Sequence, residues 1–222
     1  MIDYKVLQLG EILGKEYNQK KIEESFKKFS CQRETDLEDF LIHKAIPYEK
    51  TNYGKTYLII DEKKILEKRD FIVVAYFTIA QKSIDISNLT KKRKRKVLGD
   101  YPGRDSLNSI PAYLIGQLGR CDTYSNADLC GQQILNQCYH AISLAAQVVG
   151  GNLLVLECRE CMFEKFYEKQ DFKKLYDELN EERLYTLYKK MNFSEYWGRF
   201  KKRQKIKNIL DRCTIIIKYQ AF

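Results

Sequence analysis

The start of one predicted helix has the residue types that bind an anion. A predicted strand at 110–119 leads through a turn-rich loop into Cys130-Gly131-Gln132-Gln133, the first turn of a helix. A helix N-terminus presents unpaired N–H groups and the positive end of the helix dipole, which suits a pyrophosphate. Gly131 would let such a ligand approach the backbone closely, because it has no Cβ atom. The pattern predicts a phosphate site, although strand–helix units that bind nothing also place a glycine here.

Cysteine chemistry is a second candidate. The chain has seven cysteines, of which Cys158 and Cys161 form a C-x-x-C pair. A structural zinc site needs a second ligand pair at similar spacing, but the other cysteines are isolated and the two histidines are His43 and His140. An odd cysteine count without an export signal favours reduced thiols. We therefore expect no metal site and interpret most of these cysteines as small apolar core residues.

Two tracts of positive charge indicate an acidic partner. The chain has 39 Lys and Arg against 30 Asp and Glu, a net charge of +9. Net positive charge favours partners such as nucleic acid, and two basic patches could hold an RNA backbone. Two solvated basic segments are the alternative interpretation. The tracts are Lys91–Lys96 and Lys201–Lys207, the second preceded by Arg199 and containing Lys201, Lys202, Arg203, Lys205 and Lys207.

Hydrophobic periodicity predicts the elements that position these residues. Apolar or alternating runs predict strands at 55–61, 71–80, 83–86, 110–119, 152–158 and 214–219, with a tight turn between the second and the third. Helical spacing predicts helices at 36–45, 131–149, 162–169, 175–191 and 200–210. Thr35 or Asp36 is the expected cap of the first helix, and Gly150-Gly151 ends the second. Antiparallel-looking strands followed by a strand–helix–strand unit predict an α+β, or mixed α/β, fold.

Length and composition limit the class of protein. A chain of 222 residues favours a single domain over 1–222, and we treat residues 173–222 as a C-terminal extension of it. The sequence lacks an apolar run of the roughly 18–20 residues that a membrane span needs. Its N-terminus lacks the charged and then apolar pattern of a secretory signal. We therefore expect a folded cytoplasmic protein without a membrane partner.

Four segments of the chain resemble the GNAT superfamily of N-acetyltransferases in their order and spacing. They are Tyr113–Arg120, Gly131–Leu135, Val155–Cys158 and Phe166-Tyr-Glu-Lys-Gln-Asp-Phe172. The last segment is similar to the superfamily's F-Y-x-K-x-G-F, and the likeness covers about residues 70–172. The resemblance implies a mostly antiparallel twisted central sheet flanked by helices. One parallel pair of strands in this sheet would split at the cofactor site.

The phosphate loop departs from the superfamily pattern. Where the family has Q/R-x-x-G-x-G/A, this chain reads Asn126-Ala-Asp-Leu-Cys-Gly131, so that Leu129 replaces the first glycine. Asp128 adds a negative charge beside the expected anion site, and Asp171 replaces the glycine of the last motif. Two interpretations stay open: a site that binds the cofactor in a shifted position, and a degenerate site.

The resemblance implies acetyl-coenzyme A as the cofactor and assigns roles by position. An amine would attack the thioester directly. Tyr167 would protonate the departing thiolate, since a phenol with a pKa of about 10 is protonated at neutral pH. Glu157 is the candidate general base, with a salt-bridged strand end as the alternative. A strand edge would pair with the pantetheine arm and a row of amides would cradle the pyrophosphate, through Leu118, Gly119 and Arg120 and through Leu129, Cys130, Gly131 and Gln132 respectively.

Three functions remain open from the sequence. The leading one is an acetyl-coenzyme A-dependent N-acetyltransferase, whose acceptor could be a small amine or an aminoacyl-tRNA, as in the toxin branch of the superfamily. That branch would add an antitoxin as a partner, and a homodimer is a further candidate assembly. The second function is a binding or regulatory module with a degenerate site. The third is a nucleic-acid-binding protein in which the basic tracts matter and the strand–helix unit is scaffold.

Overall fold

The computed structural model describes residues 2–13, 19–68 and 71–193. The predicted helix at 200–210, the predicted strand at 214–219 and the basic tract Lys201–Lys207 lie outside the described residues.

The described chain forms a sheet of seven strands in the order β1-β2-β3-β4-β5-β7-β6. Neighbouring strands are antiparallel except for β4 and β5, which run parallel. The strands are β1 (Tyr4–Gln8), β2 (Lys55–Asp61), β3 (Val73–Asp85), β4 (Ser109–Arg120), β5 (Leu153–Cys158), β6 (Lys173–Lys174) and β7 (Tyr185–Lys190). This arrangement confirms the mixed α/β class and the single parallel pair.

Helices flank both faces of the sheet and join its strands. They are α1 (Leu9–Leu13), α2 (Gln19–Lys27), α3 (Thr35–Asp39), α4 (Ala45–Lys50), α5 (Glu62–Lys68), α6 (Lys91–Leu98), α7 (Gly131–Val149) and α8 (Glu160–Met162). Two π-helical turns, Phe40–Lys44 and Phe163–Tyr167, and two 3₁₀ turns, Arg104–Ser106 and Glu168–Gln170, extend or separate them. None of the described helices is long and apolar enough to cross a membrane.

The strand–helix–strand unit from β4 to β5 agrees with the predicted one. Helix α7 spans the predicted residues 131–149, because apolar side chains recur on one face and pack on the sheet, among them Ile134, Leu135, Cys138 and Ile142. The helix ends at Gly150, which has a φ of 74° that a residue with a Cβ atom rarely adopts.

The predicted tight turn between 80 and 83 is wrong, because β3 continues through this segment to Asp85. Its far half pairs with the start of β4, from Lys82 opposite Ala112 to Asp85 opposite Ser109. The ladder therefore satisfies the backbone of the polar residues that the sequence indicated as a turn. The chain reverses later, between Asp85 and Ser109, where α6 and a 3₁₀ turn lie.

The predicted helix at 175–191 is also wrong. This segment contains strand β7, which pairs over its full length with β5, from Leu153 opposite Lys190 to Cys158 opposite Tyr185. Its first four residues, Tyr-Thr-Leu-Tyr, are buried and include the aromatic and β-branched types that favour strands. This segment forms a strand because β5 offers it an edge to pair with, and hydrophobic periodicity within the segment cannot show that such an edge is present.

The basic tract Lys91–Lys96 forms the helix α6. The hydroxyl of Thr90 caps it by accepting a hydrogen bond from the amide of Arg93 at 3.2 Å. Lys94 is buried, with 5% of its surface exposed, and its ammonium donates to the carbonyl of Leu107 at 2.6 Å. The tract is therefore partly structural, because it fixes the connection between β3 and β4.

The N-terminal part differs from its prediction in three ways. The sequence did not indicate strand β1, which pairs with β2 from Tyr4 opposite Asp61 to Gln8 opposite Tyr57. The predicted helix at 36–45 begins at Thr35 and continues through α4 to Lys50. The expected cap was wrong, since the residue in the capping position is Glu34 and it makes no side-chain hydrogen bond to the helix.

Candidate functional site

The parallel strands β4 and β5 meet briefly and then part. They pair at Tyr113 opposite Leu154 and at Leu114 opposite Val155. On its other edge, β4 stays paired with β3 as far as Arg120. The β5-facing backbone edge of Leu118–Arg120 therefore borders a cleft, as the resemblance predicted for a split at this position.

Helix α7 begins at this end of β4, and its first turn satisfies some of its own amides. The amide of Cys130 donates to Oε1 of Gln133 at 2.8 Å, while the Cys130 thiol accepts from the Gln133 amide. The amide of Leu129 donates to the carbonyl of Ser125 at 3.2 Å. Of the four amides predicted to cradle a pyrophosphate, those of Gly131 and Gln132 are the ones without an acceptor in the described part of the chain.

Gly131 is covered by a side chain of the protein, the ring of Phe166. A Cβ atom at this position would lie 3.2 Å from the ring of Phe166, so the missing side chain lets this ring approach the start of α7. Gly119 on β4 is similar, because a Cβ atom there would lie 2.6 Å from Cδ1 of Leu37. Leu37 belongs to α3, and the sequence did not indicate that this helix packs on the face of β4 at Gly119.

The loop before α7 is fixed by Arg120 and Asp128. The guanidinium of Arg120 donates to the carbonyl of Leu129 at 2.6 Å, which ties the end of β4 to the start of α7. The carboxylate of Asp128 accepts from the hydroxyl and the amide of Ser125, at 2.7 and 2.8 Å. These hydrogen bonds lower the pKa of Asp128, so its negative charge persists at neutral pH. Leu129 itself is a fully buried core residue.

Tyr167 ends the π-helical turn that follows β5. Its ring is buried at 8% exposure and packs edge-on against Phe166 and Phe172, with centroid distances of 5.0 and 5.6 Å. Burial raises the pKa of the phenol well above its ordinary value, and the nearby thiols of Cys158 and Cys138 raise it further. The phenol is therefore protonated throughout the physiological pH range.

Glu157 lies near the end of β5 and forms an ion pair. Its Oε1 is 2.8 Å from Nζ of Lys82 on β3, and both side chains are partly exposed. Strand β7 places Thr186 opposite Glu157. The sequence did not indicate Lys82 as a partner, because the two residues are 75 positions apart.

The C-x-x-C cysteines have different environments. Cys158 is buried, and desolvation raises the pKa of its thiol to about 12, so it is a poor nucleophile at neutral pH. Cys161 is exposed. Within the described residues, no group of three or more His, Cys, Asp or Glu side chains is placed to hold a metal ion.

An ion pair that the sequence did not indicate links the N-terminal part to the end of β5. Nε of Arg159, the residue after β5, lies 2.9 Å from Oε2 of Glu34, the residue before α3. The C-terminal ends of strands in open α/β sheets are where such folds bind ligands. This ion pair therefore lies at the end of the sheet where β4 and β5 diverge.

No protein-family model matches the chain, and no curated protein matches its sequence. Solved structures do match. AtaT complexed with acetyl-methionyl-tRNAfMet is 18% identical, with a TM-score of 0.63 over 88% of this chain and 99% of that one. AtaTR bound with acetyl-CoA is 17% identical, with a TM-score of 0.61 over 88% and 98%. The KacTA–DNA complex is 12% identical, with a TM-score of 0.56 over 89% and 99%. At these identities the likeness establishes the fold, and the chain therefore has the GNAT fold that its sequence resembles.

Proposed function

We propose that the chain is an N-acetyltransferase, which transfers an acetyl group from acetyl-coenzyme A to a primary amine by direct attack. The observation that carries this proposal is the cleft where β4 and β5 diverge. The start of α7 follows β4 and Tyr167 follows β5, an order that supports a position for both beside this cleft. The fold shared with AtaTR, which was solved with acetyl-CoA, supports the same conclusion.

The residues around the cleft fit acetyl-coenzyme A. A diphosphate accepts hydrogen bonds from helix N-terminal amides, and those of Gly131 and Gln132 are open to it. The amides of a pantetheine arm would pair with the backbone edge of Leu118–Arg120. The side chain of Arg120 would contribute indirectly, because it already holds the carbonyl of Leu129.

The chain's own residues supply proton transfer. When bound, the cofactor supplies an acetyl thioester whose carbonyl carbon an amine can attack. Tyr167 holds a proton on its Oη atom, and burial keeps it there at neutral pH. It can deliver this proton to a leaving group in the same apolar surroundings, because desolvation raises the proton affinity of an anion formed there as well.

Glu157 is our candidate for the group that accepts the proton of the amine. Nζ of Lys82 lies 2.8 Å from Oε1 of Glu157 and orients its carboxylate, while the side chain of Glu157 remains partly exposed to water. A water molecule could therefore connect the amine to this carboxylate. The alternative role is purely structural, since the same ion pair joins β3 to β5.

We propose an aminoacyl-tRNA as the candidate acceptor. AtaT, which shares the fold, was solved with acetyl-methionyl-tRNAfMet, and the exposed lysines of α6 are a basic surface for RNA. Lys91–Lys96 and Lys201–Lys207 are the proposed RNA contacts. An antitoxin is a candidate partner because AtaT was solved bound to the antitoxin AtaR. The homodimer and the single domain over 1–222 stay predictions. The six cysteines in the described part of the chain are free thiols, which fits a reducing cytoplasm.

The test is the affinity for acetyl-coenzyme A, measured by isothermal titration on two variants of Gly131. Gly131→Pro removes the amide hydrogen at the first position of α7, where proline is well tolerated. Cys130, which precedes it, has a φ of −82° and a ψ of 156°, an extended conformation compatible with a following proline. Gly131→Ala is the matched control, because it adds the same Cβ atom beside Phe166 but keeps the amide.

We expect Gly131→Pro to raise the Kd for acetyl-coenzyme A by about tenfold to a hundredfold relative to Gly131→Ala. A hydrogen bond to a charged group contributes about 1.5–3 kcal/mol, and about 1.4 kcal/mol corresponds to a tenfold change. Equal affinities would remove the helix start from the proposed site. If the unmodified protein does not bind at millimolar cofactor, the degenerate module becomes the better interpretation.

A further inference from the structure

A cavity of about 340 Å³ lies beside the segment that carries Tyr167. Its wall is formed by α6, by the helical turns after β5, and by β6 and β7. Four cationic side chains line it, from two separate parts of the chain: Arg93 and Lys96 on α6, and Lys173 and Lys174 on β6. The fold thus brings part of the Lys91–Lys96 tract together with a second basic pair that sequence analysis did not single out.

The four cations differ in what holds them. Arg93 donates to the backbone carbonyl of Lys174 at 2.8 Å and pairs with Asp177 at 3.1 Å, so it fixes α6 to the opposite wall. Lys96, Lys173 and Lys174 make no ion pair with any residue in the described ranges. Their charges are therefore available to a ligand.

Aromatic rings and two carboxylates complete the wall. Cation–π contacts hold the ammonium of Lys174, which lies 5.0 Å from the ring centroid of Phe163 in the wall and 3.6 Å from that of Tyr185, which does not line the cavity. The carboxylates belong to Glu168 and Asp171, so the wall keeps an excess of two positive charges. A concave site with excess positive charge and apolar rings suits an anion that carries a flat or apolar group.

We propose that this cavity binds a phosphate group. Lysine ammonium groups are compact charges that pair well with phosphate, and three of them here lack a protein counter-charge. The ring of Phe172 lines the cavity and also packs on Tyr167 at a centroid distance of 5.6 Å, so a bound phosphate would lie one ring away from the phenol. Its role as a substrate contact rests on the acetyltransferase proposed above, whereas phosphate binding itself does not.

Two sources could supply the phosphate. One is a phosphodiester in an RNA acceptor, whose base would stack on the aromatic wall, and the other is a small phosphomonoester. The full chain is titrated with a labelled single-stranded RNA of about ten nucleotides, with adenosine 5′-monophosphate and with inorganic phosphate. Fluorescence anisotropy reports the first and isothermal titration the other two.

The test variant is Lys96→Ala/Lys173→Ala, which removes two of the three unpaired cavity charges. Lys27→Ala/Lys63→Ala is the matched control, because it removes two exposed charges that lie outside the cavity and outside both basic tracts. Circular dichroism checks that both variants fold, and acetyl-coenzyme A is titrated into each. Cofactor affinity should stay unchanged in the cavity variant, which separates this proposal from the failure of the proposed function.

We expect the cavity variant to lose at least about tenfold in affinity for a phosphate probe, and the control less than about twofold, because only the cavity variant loses charge-assisted hydrogen bonds to the phosphate. A loss confined to RNA identifies the phosphodiester source, and a loss for the monophosphate or inorganic phosphate identifies the small-ligand source. Equal losses in both variants would reduce the cavity to general surface charge and overturn the proposal. Failure of the unmodified protein to bind any of the three probes would also overturn it.

Discussion

Burial decides the protonation state of Tyr167. The phenol lies among Phe166, Phe172 and two thiols, and this apolar environment disfavours the phenolate. A general acid has to hold its proton until the leaving group forms. The surroundings of Tyr167 meet this requirement at neutral pH.

Replacing Tyr167 with Phe tests this role. We expect Tyr167→Phe to lower kcat for acetyl transfer by about 10²–10⁴-fold, the usual contribution of a general acid, with an unchanged Kd for acetyl-coenzyme A. Tyr185→Phe is the control, because Tyr185 is also buried nearby and its hydroxyl donates to Glu160. Steady-state kinetics and isothermal titration give the two quantities. A kcat that stays within a factor of two would show that Tyr167 is a packing residue.

The same phenol also makes the stability depend on pH. Its pKa in the folded state lies above the unfolded value of about 10, so the folded and unfolded chains both keep the proton below that value. Above about pH 10 the unfolded state releases the proton first, and the stabilisation falls as the pH rises. We expect Tyr167→Phe to weaken this alkaline fall, measured by thermal melts of both proteins between neutral pH and about pH 11.

At this scale the sequence predicted the residues that belong to local motifs. Tyr167, Gly131 and Glu157 are candidates because motif spacing or position on a strand can be read from consecutive residues, and their roles stay predictions. Their partners Lys82, beside Glu157, and Phe166, beside Gly131, were not assigned, since each contact depends on how distant elements pack. The phosphate loop shows the same limit, because sequence cannot tell that the amides of Leu129 and Cys130 already have acceptors.

Among the elements, α6 shows how a run of like charges can be ordered. Lys94 is directed inward to the carbonyls of Leu107 and Asp105, at 2.6 and 3.5 Å, whereas Lys92 on the same helix is exposed. The hydrogen bonds to these carbonyls replace the hydration that the ammonium of Lys94 loses on burial. The helix thereby closes the long connection between β3 and β4.

Removing the Lys94 charge should destabilise the protein measurably. Lys94→Met keeps the apolar stem but removes the ammonium that donates to the partly buried carbonyls of Leu107 and Asp105, at a cost of about 1.5–3 kcal/mol. For a protein of this size that lowers Tm by about 3–12 °C. Lys92→Met serves as the control and should change stability by less than about 0.5 kcal/mol. Equal melting temperatures for the two variants would mean that Lys94 is solvated in solution.

Elements with a strong local pattern were predicted well, and those that depend on pairing were not. The apolar stripe of α7 and the buried runs of β4 and β5 are intrinsic to their segments. In contrast, β7 forms because β5 offers an edge, and β1 forms because β2 does. A period-3.6 interpretation of 175–191 failed because the partner strand overrides local propensity.

For the whole molecule, the net charge of +9 predicts how an RNA partner would bind. Release of counterions makes such affinity fall steeply with salt. We expect the affinity for a tRNA to decrease at least tenfold between about 50 mM and about 200 mM salt, measured by filter binding or anisotropy. An affinity that does not respond to salt would exclude the basic tracts as the main contact.

Because two residue pairs join β4 to β5, the sheet consists of two blocks that meet at a short seam. One block contains β1 to β4 and the other contains β5, β7 and β6. A slight tilt of one block against the other would change the width of the cleft without breaking a hydrogen bond inside either block. We therefore expect the width of the cleft to change more easily than the spacing of the paired strands inside either block. A ligand that contacts both sides of the cleft would restrict this movement.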